Sequence, residues 1–542
     1  MKIFYCSFLL LFLYSSAIFA QEKKDLIVPN ENLITEGIPD IAKDLSTKVK
    51  KYTEARGAVL ADVHPITNEI IISTRFGATP QLHHVKQPLG DRTQITFFDE
   101  PVGNAIFEPT KGNYLIYSAD TGGNEFGQLY KLDLKTLTAN MLTSGGRSQN
   151  GGVTWRKDGK GFYYSSTKRN GKDRDIYFMD PENPTGEKLV LEVKGGGWGI
   201  SDISSDFSKL LIRESISANE SYVWLLDIES GKLTEVTDRK TPNILQSGAS
   251  FSKNANEIWL LSDKDNEFTR LGTYSLSSKQ FTFYTSAIPW NVENYSLSED
   301  QKTLVFTTNE AGSNKMYLMN TATKVYQEVK GLPSGLIGSM RFTADDSSVF
   351  FTQSTAKSAS DVFQLVLKTG KITRWTKSEL GQIQESDISL PKAISWQSFD
   401  KLTITGFYYP AAPKFKGKRP VVINIHGGPE GQSMASFLGA NNYYTNEMGV
   451  AFIAPNVRGS SGFGKTFLTK DNGYLREDSV KDIGALLEWI ALQPELDKDR
   501  IMIMGGSYGG YMSLATAFHY ADQIKCSVDI VGISNFNTFL KN

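Results

Sequence analysis

The stretch DRIMIMGGSYGGY, residues 499–511, decides the fold of the second half of the chain. An apolar run at 501–504 leads into a Gly-x-Ser-x-Gly sequence, and a helical pattern follows. A strand, a sharp turn and a helix in this order are the context of a nucleophile elbow. Gly505 and Gly509 leave room for so tight a turn because they carry no Cβ. We therefore predict that Ser507 is a nucleophile exposed at the edge of a sheet. The plainer alternative is a glycine-rich connecting turn.

The sequence before this stretch has the pattern of an α/β layer. Short continuous apolar runs at 421–425 and 450–454 indicate strands that are buried on both faces. Apolar residues at 480, 483, 486, 487 and 490 fall on one face of a helix. Strands that alternate with helices favour a mostly parallel sheet, so we predict an α/β domain over 381–542.

A repeat fills the region from 55 to 380. Aromatic or apolar anchors, each followed by a polar turn and a β-rich run, recur every 44 to 48 residues at positions 63, 107, 155, 203, 251, 295 and 342. Each unit then carries an alternating strand, a turn and a threonine-rich return strand. Units of this length with four short strands are typical of propeller blades, which must stack radially to bury both faces. We predict a seven-bladed β-propeller; an array of β-sandwiches is the alternative.

The overall composition excludes some classes of function. The 58 basic and 59 acidic residues give a net charge of −1, which offers no electrostatic basis for a nucleic-acid partner. At 542 residues, two or three domains are expected.

The first 20 residues resemble a secretory signal. Lys2 precedes an apolar run at 3–14, and a run of small residues ends at Ala20. We expect an exported, secreted or periplasmic protein with no stable membrane insertion after cleavage; an uncleaved anchor is the alternative. Residues 21–54 would form a polar N-terminal segment with a short helix near 41–45. Removal of the signal would leave Cys526 as the only thiol, which allows no internal disulfide.

A serine nucleophile also needs donors for the oxyanion of its tetrahedral intermediate. An HGGP sequence at 426–429 follows a buried strand, which is where hydrolases of this type place a loop whose backbone N–H faces the oxyanion. The second donor would be the N–H of Tyr508, directly after the nucleophile. We interpret His426 as a residue that shapes this loop, and not as the catalytic base.

Three motifs in this order, HGGP at 426–429, NVRGSSGFG at 456–464 and GGSYGG at 505–510, follow the seven-unit repeat. Together they resemble the prolyl oligopeptidase family of serine peptidases, and most of all its acylaminoacyl-peptidase-like and dipeptidyl-peptidase branches. The resemblance covers about 55–542. It implies an α/β-hydrolase fold with a Ser-Asp-His triad, and a propeller that admits only short or unfolded peptides. It also implies that Ser507 is the nucleophile, that Tyr508 and Gly428 are oxyanion donors with Gly427 as a further candidate, and that Arg458 and Gly459 lie near the site.

The sequence departs from this family after the nucleophile. In α/β-hydrolases the acid and the histidine follow the serine, but here only 35 residues follow Ser507. Their one histidine, His519, would lie ~18 Å along the elbow helix, since each residue adds 1.5 Å. Asp522 resembles a helix-end residue, and Asp529 lies inside the next strand, too early for the family's acid, so both are interpreted as structural. We therefore expect that the triad acid and base are absent, that the sequence is C-terminally truncated and that it is inactive as written.

No metal or organic cofactor is predicted. His83 and His84 lie in a propeller strand without a third ligand nearby, and the sequence has no HExxH, CxxC or phosphate-loop pattern. The leading hypothesis is a serine-type peptidase for short peptides. A carboxylesterase-type acyl hydrolase and a non-catalytic propeller scaffold are the alternatives. The sequence leaves open the specificity for the residue before the scissile bond, exopeptidase against endopeptidase activity, and the oligomeric state.

Overall fold

The structure is a computed structural model, and it describes residues 25–254 and 256–541. The predicted signal at 1–20 lies outside the described residues. Among those residues, none of the helices has the length and apolar character that crossing a bilayer requires.

Seven four-stranded antiparallel sheets follow one another along the chain and form a seven-bladed β-propeller, as the repeat predicts. Each predicted anchor residue lies in the first strand of its blade. The first four blades contain β1 (Val59–Val63), β2 (Ile70–Thr74), β3 (Gln81–Val85), β4 (Thr93–Gln94), β5 (Ala105–Phe107), β6 (Tyr114–Ala119), β7 (Gln128–Asp133), β8 (Ala139–Met141), β9 (Asn150–Trp155), β10 (Phe162–Ser166), β11 (Asp175–Met179), β12 (Lys188–Leu191), β13 (Trp198–Ile203), β14 (Lys209–Ser217), β15 (Glu220–Asp227) and β16 (Leu233–Glu235). The last three contain β17 (Gln246–Phe251), β18 (Glu257–Ser262), β19 (Arg270–Ser275), β20 (Phe281–Phe283), β21 (Asn291–Leu297), β22 (Thr303–Asn309), β23 (Asn314–Asn320), β24 (Tyr326–Glu328), β25 (Leu336–Phe342), β26 (Ser348–Thr355), β27 (Ser358–Val366) and β28 (Lys371–Arg374).

A threonine two residues after the fourth strand recurs in five blades. Its hydroxyl oxygen accepts a hydrogen bond from a backbone N–H of the third strand, which provides a buried donor with a partner. The pairs, each fourteen residues apart, are Leu82–Thr96 (2.9 Å), Leu129–Thr143 (3.1 Å), Val223–Thr237 (2.9 Å), Leu271–Thr285 (3.0 Å) and Val362–Thr376 (2.9 Å).

The ring closes where the first blade meets the seventh. Side chains of both blades form one buried cluster, in which Phe350, Val362 and Trp375 pack with Ile70 and Ile72. The Ala58 N–H, directly before β1, donates to the Ser360 carbonyl of β27 at 3.0 Å, and the Leu60 N–H donates to the Thr352 hydroxyl at 2.9 Å. Apolar packing and hydrogen bonds thus hold the two ends of the propeller together.

The α/β domain contains a six-stranded sheet in the described part of the chain, in the order β29 (Lys392–Gln397), β30 (Thr403–Tyr409), β32 (Ala451–Asn456), β31 (Arg419–Ile425), β33 (Leu496–Gly506) and β34 (Cys526–Ile530). β30 is antiparallel to both of its neighbours, and the other pairings are parallel. The carboxyl ends of β31, β32 and β33 therefore meet at one edge of the sheet, where functional loops gather in such folds.

The α-helices lie outside the propeller: α1 (Lys43–Thr53), α2 (Asn442–Asn446), α3 (Lys465–Leu468), α4 (Arg476–Ala491), α5 (Tyr508–His519) and α6 (Phe536–Phe539). Short 3₁₀ turns lie at Pro184–Gly186 in the propeller and at Glu385–Asp387, Gly439–Asn441, Thr469–Asp471 and Gly473–Leu475 in the rest of the chain. The apolar face predicted for α4 is buried in the core beside the sheet. The helix near 41–45 is longer than expected. It packs on the α/β domain, because the Tyr52 ring contacts Tyr443 and its hydroxyl donates to Glu447 over 2.7 Å.

Candidate active site

Ser507 occupies a sharp turn between β33 and α5. Its φ of 56° and ψ of −120° lie in a region that residues with a Cβ rarely adopt. The turn is held by hydrogen bonds on both sides: the Ser507 N–H donates to the Ile530 carbonyl at 3.0 Å, and the Ser507 carbonyl accepts from Gly510 at 2.9 Å. The serine itself is exposed. The strand, turn and helix that the sequence predicts are all present.

The glycines of the elbow lie against the neighbouring strand. A Cβ on Gly509 would come within 2.1 Å of the Ile425 carbonyl oxygen, and one on Gly505 within 2.4 Å of the Gly509 oxygen. Because these contacts are with backbone atoms, they leave no space for a side chain. The Gly-x-Ser-x-Gly spacing is therefore required by the close approach of β31, β33 and α5.

The loop at 426–433, which we call the oxyanion loop, lies over the nucleophile. A Cβ on Gly427 would be 3.9 Å from Ser507 Oγ and 3.2 Å from the Gly506 oxygen, so this backbone is in contact with the elbow. Gly428 follows with a φ of 128°, a conformation that favours glycine. The structure thus brings Ser507, Tyr508, Gly427 and Gly428 together.

Tyr508 directs its side chain into the core. Its hydroxyl donates to Asp471 Oδ2 at 3.1 Å and lies 3.0 Å from Ser479 Oγ. Burial raises the pKa of Tyr508, and burial likewise raises the pKa of Asp471 to about 6. Tyr508 is the first residue of α5, so its N–H is one of the four that have no acceptor within the helix. Such an N–H is a suitable donor for an anion.

Neither ring nitrogen of His426 is directed at Ser507. Nδ1 lies 2.8 Å from the Gly427 carbonyl oxygen, and Nε2 lies 2.8 Å from Ser460 Oγ. Burial lowers the pKa of His426, which favours the neutral ring. Nδ1 is thus engaged within the oxyanion loop, and Nε2 in a contact with the loop after β32.

The later histidine and acids, His519, Asp522 and Asp529, lie on three different elements after Ser507. His519 is the last residue of α5, and its Nε2 is 3.4 Å from Glu477 Oε2. Asp522 lies in the turn that follows α5, and Asp529 lies in β34 with its carboxylate against Gly510 and Gly532. Within 508–541, the structure places no histidine beside the nucleophile.

Arg458 is buried below the site and not exposed in it. Its backbone N–H, Nε and Nη2 all donate to the carboxylate of Asp482, at 2.8–3.1 Å, and its two terminal nitrogens reach Asp400 at 3.0 Å. Arg458 and Asp482 are almost fully shielded from solvent. The family motif suggested only a position near the site, whereas the contacts show that Arg458 anchors the loop after β32 to α4.

The propeller contacts the loops around the site. Glu267, between β18 and β19, accepts from the Thr466 N–H at 2.7 Å and from its hydroxyl at 2.8 Å. Asn309 donates to Gln432 in the oxyanion loop at 2.6 Å. A cavity of about 140 Å³ lies at this junction, between Asn219 and Asp263 of the propeller and Glu430 of the loop.

Residues that could hold a metal do not gather in the described part of the chain, where no group of three or more His, Cys, Asp or Glu residues has the required arrangement. His84 Nε2 is instead 2.7 Å from Glu69, and His83 is buried with its Nδ1 3.0 Å from the Gln81 carbonyl oxygen. Cys526, in β34, is a free and exposed thiol.

Two family models match the sequence. That of the prolyl oligopeptidase family matches residues 435–542, and that of the prolyl oligopeptidase N-terminal β-propeller domain matches residues 104–378. The two matches fall on the two domains of the structure.

Known proteins are similar to both parts of the chain. Dipeptidyl aminopeptidase BIII of Pseudoxanthomonas mexicana is 40% identical over 121 residues, which is 22% of this chain and 17% of that protein. The uncharacterized peptidase YuxL of Bacillus subtilis is 25% identical over 452 residues, 80% of this chain and 62% of the relative. The chain thus spans less than two thirds of the length of these relatives.

A structure solved in a study of two prolyl endopeptidases superimposes with a TM-score of 0.77 and 15% identity, over 90% of this chain and 74% of that one. At this identity the likeness concerns the fold.

Proposed function

The chain belongs to the prolyl oligopeptidase family of serine peptidases, and on this premise we propose that the protein hydrolyses short peptides by acyl transfer through Ser507. The observation that carries the proposal is the strained backbone of Ser507, which exposes the hydroxyl directly beside the Gly427 backbone. Strain at a non-glycine residue is typical of functional sites.

The proposed reaction has two steps. Ser507 Oγ attacks the scissile carbonyl carbon, while a general base takes the hydroxyl proton and the carbonyl oxygen becomes an oxyanion. The N–H groups of Tyr508 and Gly428, with Gly427 as a further donor, stabilise this charge. Collapse of the intermediate releases the amine with the proton from the base. Water then hydrolyses the acyl-enzyme and restores Ser507.

The acid and the base of this reaction are not among the residues that the structure places near Ser507. His519 is the only histidine in 508–541, and it lies at the far end of α5. The proposed mechanism therefore needs a general base, and an acid to orient it, that residues 508–541 do not place beside Ser507. Without them, we expect residues 25–541 to retain only the weak catalysis of an oxyanion hole.

We further propose that the propeller limits access to peptides that are short or unfolded. The contacts of Glu267 with Thr466 and of Asn309 with Gln432 support this role, because they bring propeller loops against the loops of the site. The resemblance of residues 1–20 to a secretory signal supports an exported location.

The decisive experiment replaces Ser507 with alanine in the full-length natural protein. We expect kcat/KM for a panel of short peptide amides to fall by about 10³-fold or more, since the covalent step is lost. A fluorophosphonate probe should label the parent and not Ser507→Ala. Ser527→Ala is a matched control, because that hydroxyl bonds to the Ser513 carbonyl at 3.0 Å.

The same measurements test the alternatives. Turnover of an ester with no turnover of the matching amide would favour a carboxylesterase. Equal peptide hydrolysis by the parent and by Ser507→Ala would contradict the proposal, and an unlabelled, inactive parent would favour a propeller scaffold.

A further inference from the structure

Tyr508 is held by side chains of two other elements. Its ring is almost fully buried and packs on the Tyr511 ring, with 5.4 Å between the ring centres. Its hydroxyl lies 3.1 Å from Asp471 Oδ2, in the 3₁₀ turn Thr469–Asp471, and 3.0 Å from Ser479 Oγ, in the first turn of α4. Tyr508 thus connects the start of α5 to both of these elements.

The hydroxyl protons of this cluster can be counted. Ser479 Oγ lies 2.6 Å from the Arg476 carbonyl oxygen, which can only accept, so Ser479 gives its one proton to that carbonyl. The Met512 sulfur, at 3.6 Å, is a much weaker acceptor. Ser479 therefore accepts in its contact with Tyr508. Tyr508 also has one hydroxyl proton, which it can donate to Ser479 or to Asp471, but not to both.

The protonation state of Asp471 decides between these two. An ionised carboxylate has no proton, so Tyr508 must donate to it, and the contact of Tyr508 with Ser479 then contains no proton. A protonated carboxyl can donate to the Tyr508 oxygen, which leaves the Tyr508 proton for Ser479. Only the protonated form places one proton in each of the three contacts: from Asp471 to Tyr508, from Tyr508 to Ser479, and from Ser479 to the Arg476 carbonyl.

The burial of Asp471 favours the protonated form. The residue is 1% exposed, and its Oδ1 has no hydrogen-bond partner among the described residues. A Cβ on Gly459 would overlap with both carboxylate oxygens, so the backbone of the loop after β32 covers the group. A buried carboxylate with few donors is costly to ionise.

The groups around Asp471 add smaller effects to that of burial. Burial is the main cause that raises the pKa of Asp471 to about 6, and Glu430 of the oxyanion loop raises it as well. The hydrogen bond with Tyr508 and the charge of Arg476 lower it. Tyr511, the other titratable neighbour, donates its hydroxyl proton to Glu477 at 2.8 Å.

Tyr508 carries one of the proposed oxyanion donors. Its N–H is the first of α5 and has no acceptor within that helix, and it directly follows the strained backbone of Ser507. A strained conformation persists only where its surroundings over-determine it. A side chain that is bonded at its far end to two further elements is such a constraint on the first turn of α5.

We propose that Asp471 and Ser479 are positioning residues, which hold Tyr508 so that its N–H faces the oxyanion formed at Ser507, and that this anchor is complete only while Asp471 carries a proton. The inference rests on the proposed function and deepens it. The Tyr508 hydroxyl then has two hydrogen-bond partners below a pH of about 6 and one above it.

The kinetic test compares Asp471→Asn with Asp471→Leu in the full-length natural protein. The asparagine amide is a donor at every pH and keeps all three hydrogen bonds, whereas leucine has a similar size but no donor. We expect kcat of Asp471→Leu at pH 6 to fall about tenfold with KM within about threefold, because the N–H acts mainly in the transition state. The ratio of kcat in Asp471→Asn to kcat in the parent should be near one at about pH 5. It should rise about threefold by about pH 8, since only the parent loses its proton.

Ser479→Ala interrupts the same cluster at its other end. The protonated state then loses the acceptor of the Tyr508 proton, whereas the ionised state loses only a contact without a proton. We expect kcat to fall about threefold at about pH 5 and less at about pH 8. This variant carries the test if Asp471→Leu does not fold. Ser513→Ala is its matched control, because that hydroxyl also donates to a helix carbonyl, that of Gly509 at 2.9 Å.

Three results would overturn the proposal. The first is a ratio of kcat between Asp471→Asn and the parent that stays constant over this pH range. The second is an undiminished kcat in both Asp471→Leu and Ser479→Ala. The third is an equal loss in Asp471→Leu and Asp471→Asn at equal thermal stability, which would mean that the carboxyl only fills space.

A measurement that needs no activity separates this inference from the proposed function. The protein has 23 tyrosines, and with ¹³C at their Cζ atoms the resonance lost in Tyr508→Phe identifies this ring. We expect the resonance to shift with pH, with a midpoint of about 6 in the parent, a lower midpoint in Ser479→Ala and no shift in Asp471→Asn.

A resonance that does not move in the parent, or that moves equally in Asp471→Asn, would overturn the inference. Full activity of Ser507→Ala would instead refute the proposed function, whatever the Tyr508 resonance showed.

Discussion

Hydrogen bonds between a polar side chain and the backbone fasten both domains, but in different ways. In the propeller, a threonine accepts from the third strand in five blades, always fourteen residues away, as with Thr237 and Val223. In the α/β domain, the Asn456 side chain bonds the N–H and the carbonyl of Ser433, and so joins the end of β32 to the oxyanion loop. The first kind of contact lies within one blade, and the second kind joins two loops whose bonded residues are 23 residues apart.

Contacts within a blade should therefore affect mainly the stability of the protein, whereas contacts between the loops of the site should also affect its function. Loss of one such contact in a blade leaves the contacts of the other blades in place. It also lies in the propeller and makes no contact with Ser507. Loss of the Asn456 contact releases the oxyanion loop, whose Gly427 backbone lies beside Ser507. We therefore expect propeller substitutions to change the free energy of unfolding, and substitutions of residues that hold the oxyanion loop to change kcat as well.

The largest effect is expected for Arg458→Met. Arg458 and Asp482 form a buried pair, and removal of the cation leaves a carboxylate without its main partner in the core. Such losses cost about 3–5 kcal/mol of the free energy of unfolding. Urea unfolding should show this loss, and kcat should fall because Arg458 anchors the loop after β32, whose Ser461 N–H donates to Gly431 in the oxyanion loop.

The matched variant in the propeller is Arg374→Met. Asp361 would keep bonds from Thr376 Oγ1 at 2.8 Å and from the Ser378 N–H at 2.8 Å, and Arg374 is half exposed. We expect a loss of about 1 kcal/mol and an unchanged kcat. Equal losses in both variants would refute the distinction between the two domains.

A smaller effect is expected for Thr237→Val in the propeller. The substitution keeps the shape of the side chain but leaves the buried Val223 N–H without its acceptor, at a cost of about 1–2 kcal/mol. Thr282→Val, at an exposed position of β20, should change the unfolding free energy by less than about 0.5 kcal/mol. Peptide hydrolysis should be unaffected in both, and a drop in kcat for Thr237→Val would contradict the assignment of this contact to the scaffold.

Features that recur or follow one another closely in the sequence could be predicted. The number of blades could be predicted from the seven anchor residues, because each of them lies in the first strand of a different blade. The strand, turn and helix around Ser507 could be predicted because an apolar run, two glycines and a helical pattern are adjacent. In both cases the information lies within a few dozen residues.

Features that depend on distant contacts could not be predicted. Tyr52, the one buried residue of α1, joins this helix to Glu447 across 395 residues. Two further contacts likewise depend on how the helices pack against the sheet. They are the hydrogen bond of Tyr508 to Asp471 and the buried ion pair of Arg458 with Asp482. The roles of Ser507, Tyr508 and Gly428 stay predictions until activity is measured.

The smallest effect concerns the pH dependence of stability near the site. Burial raises the pKa of Asp471 from 3.8 to about 6. Tyr508, Glu430 and Arg476 are the other charged or titratable groups that act on it. Because the folded-state pKa lies above the unfolded one, the folded protein binds more protons between pH 4 and 6. Stability therefore falls as the pH rises through this window.

Asp471→Asn should remove this slope. Between pH 5 and 6 we expect the unfolding free energy of the parent to fall by about 1 kcal/mol relative to that of the variant, as measured by urea unfolding at each pH. Asp206→Asn in the propeller is the contrasting control. Hydrogen bonds from Ser204 and Ser208 lower the pKa of Asp206 to about 2, so its contribution is complete above pH 4 and is lost only in stronger acid. A slope shared by parent and Asp471→Asn would show that Asp471 is not the buried carboxylate that titrates here, and that the anchor below Tyr508 is ionised throughout.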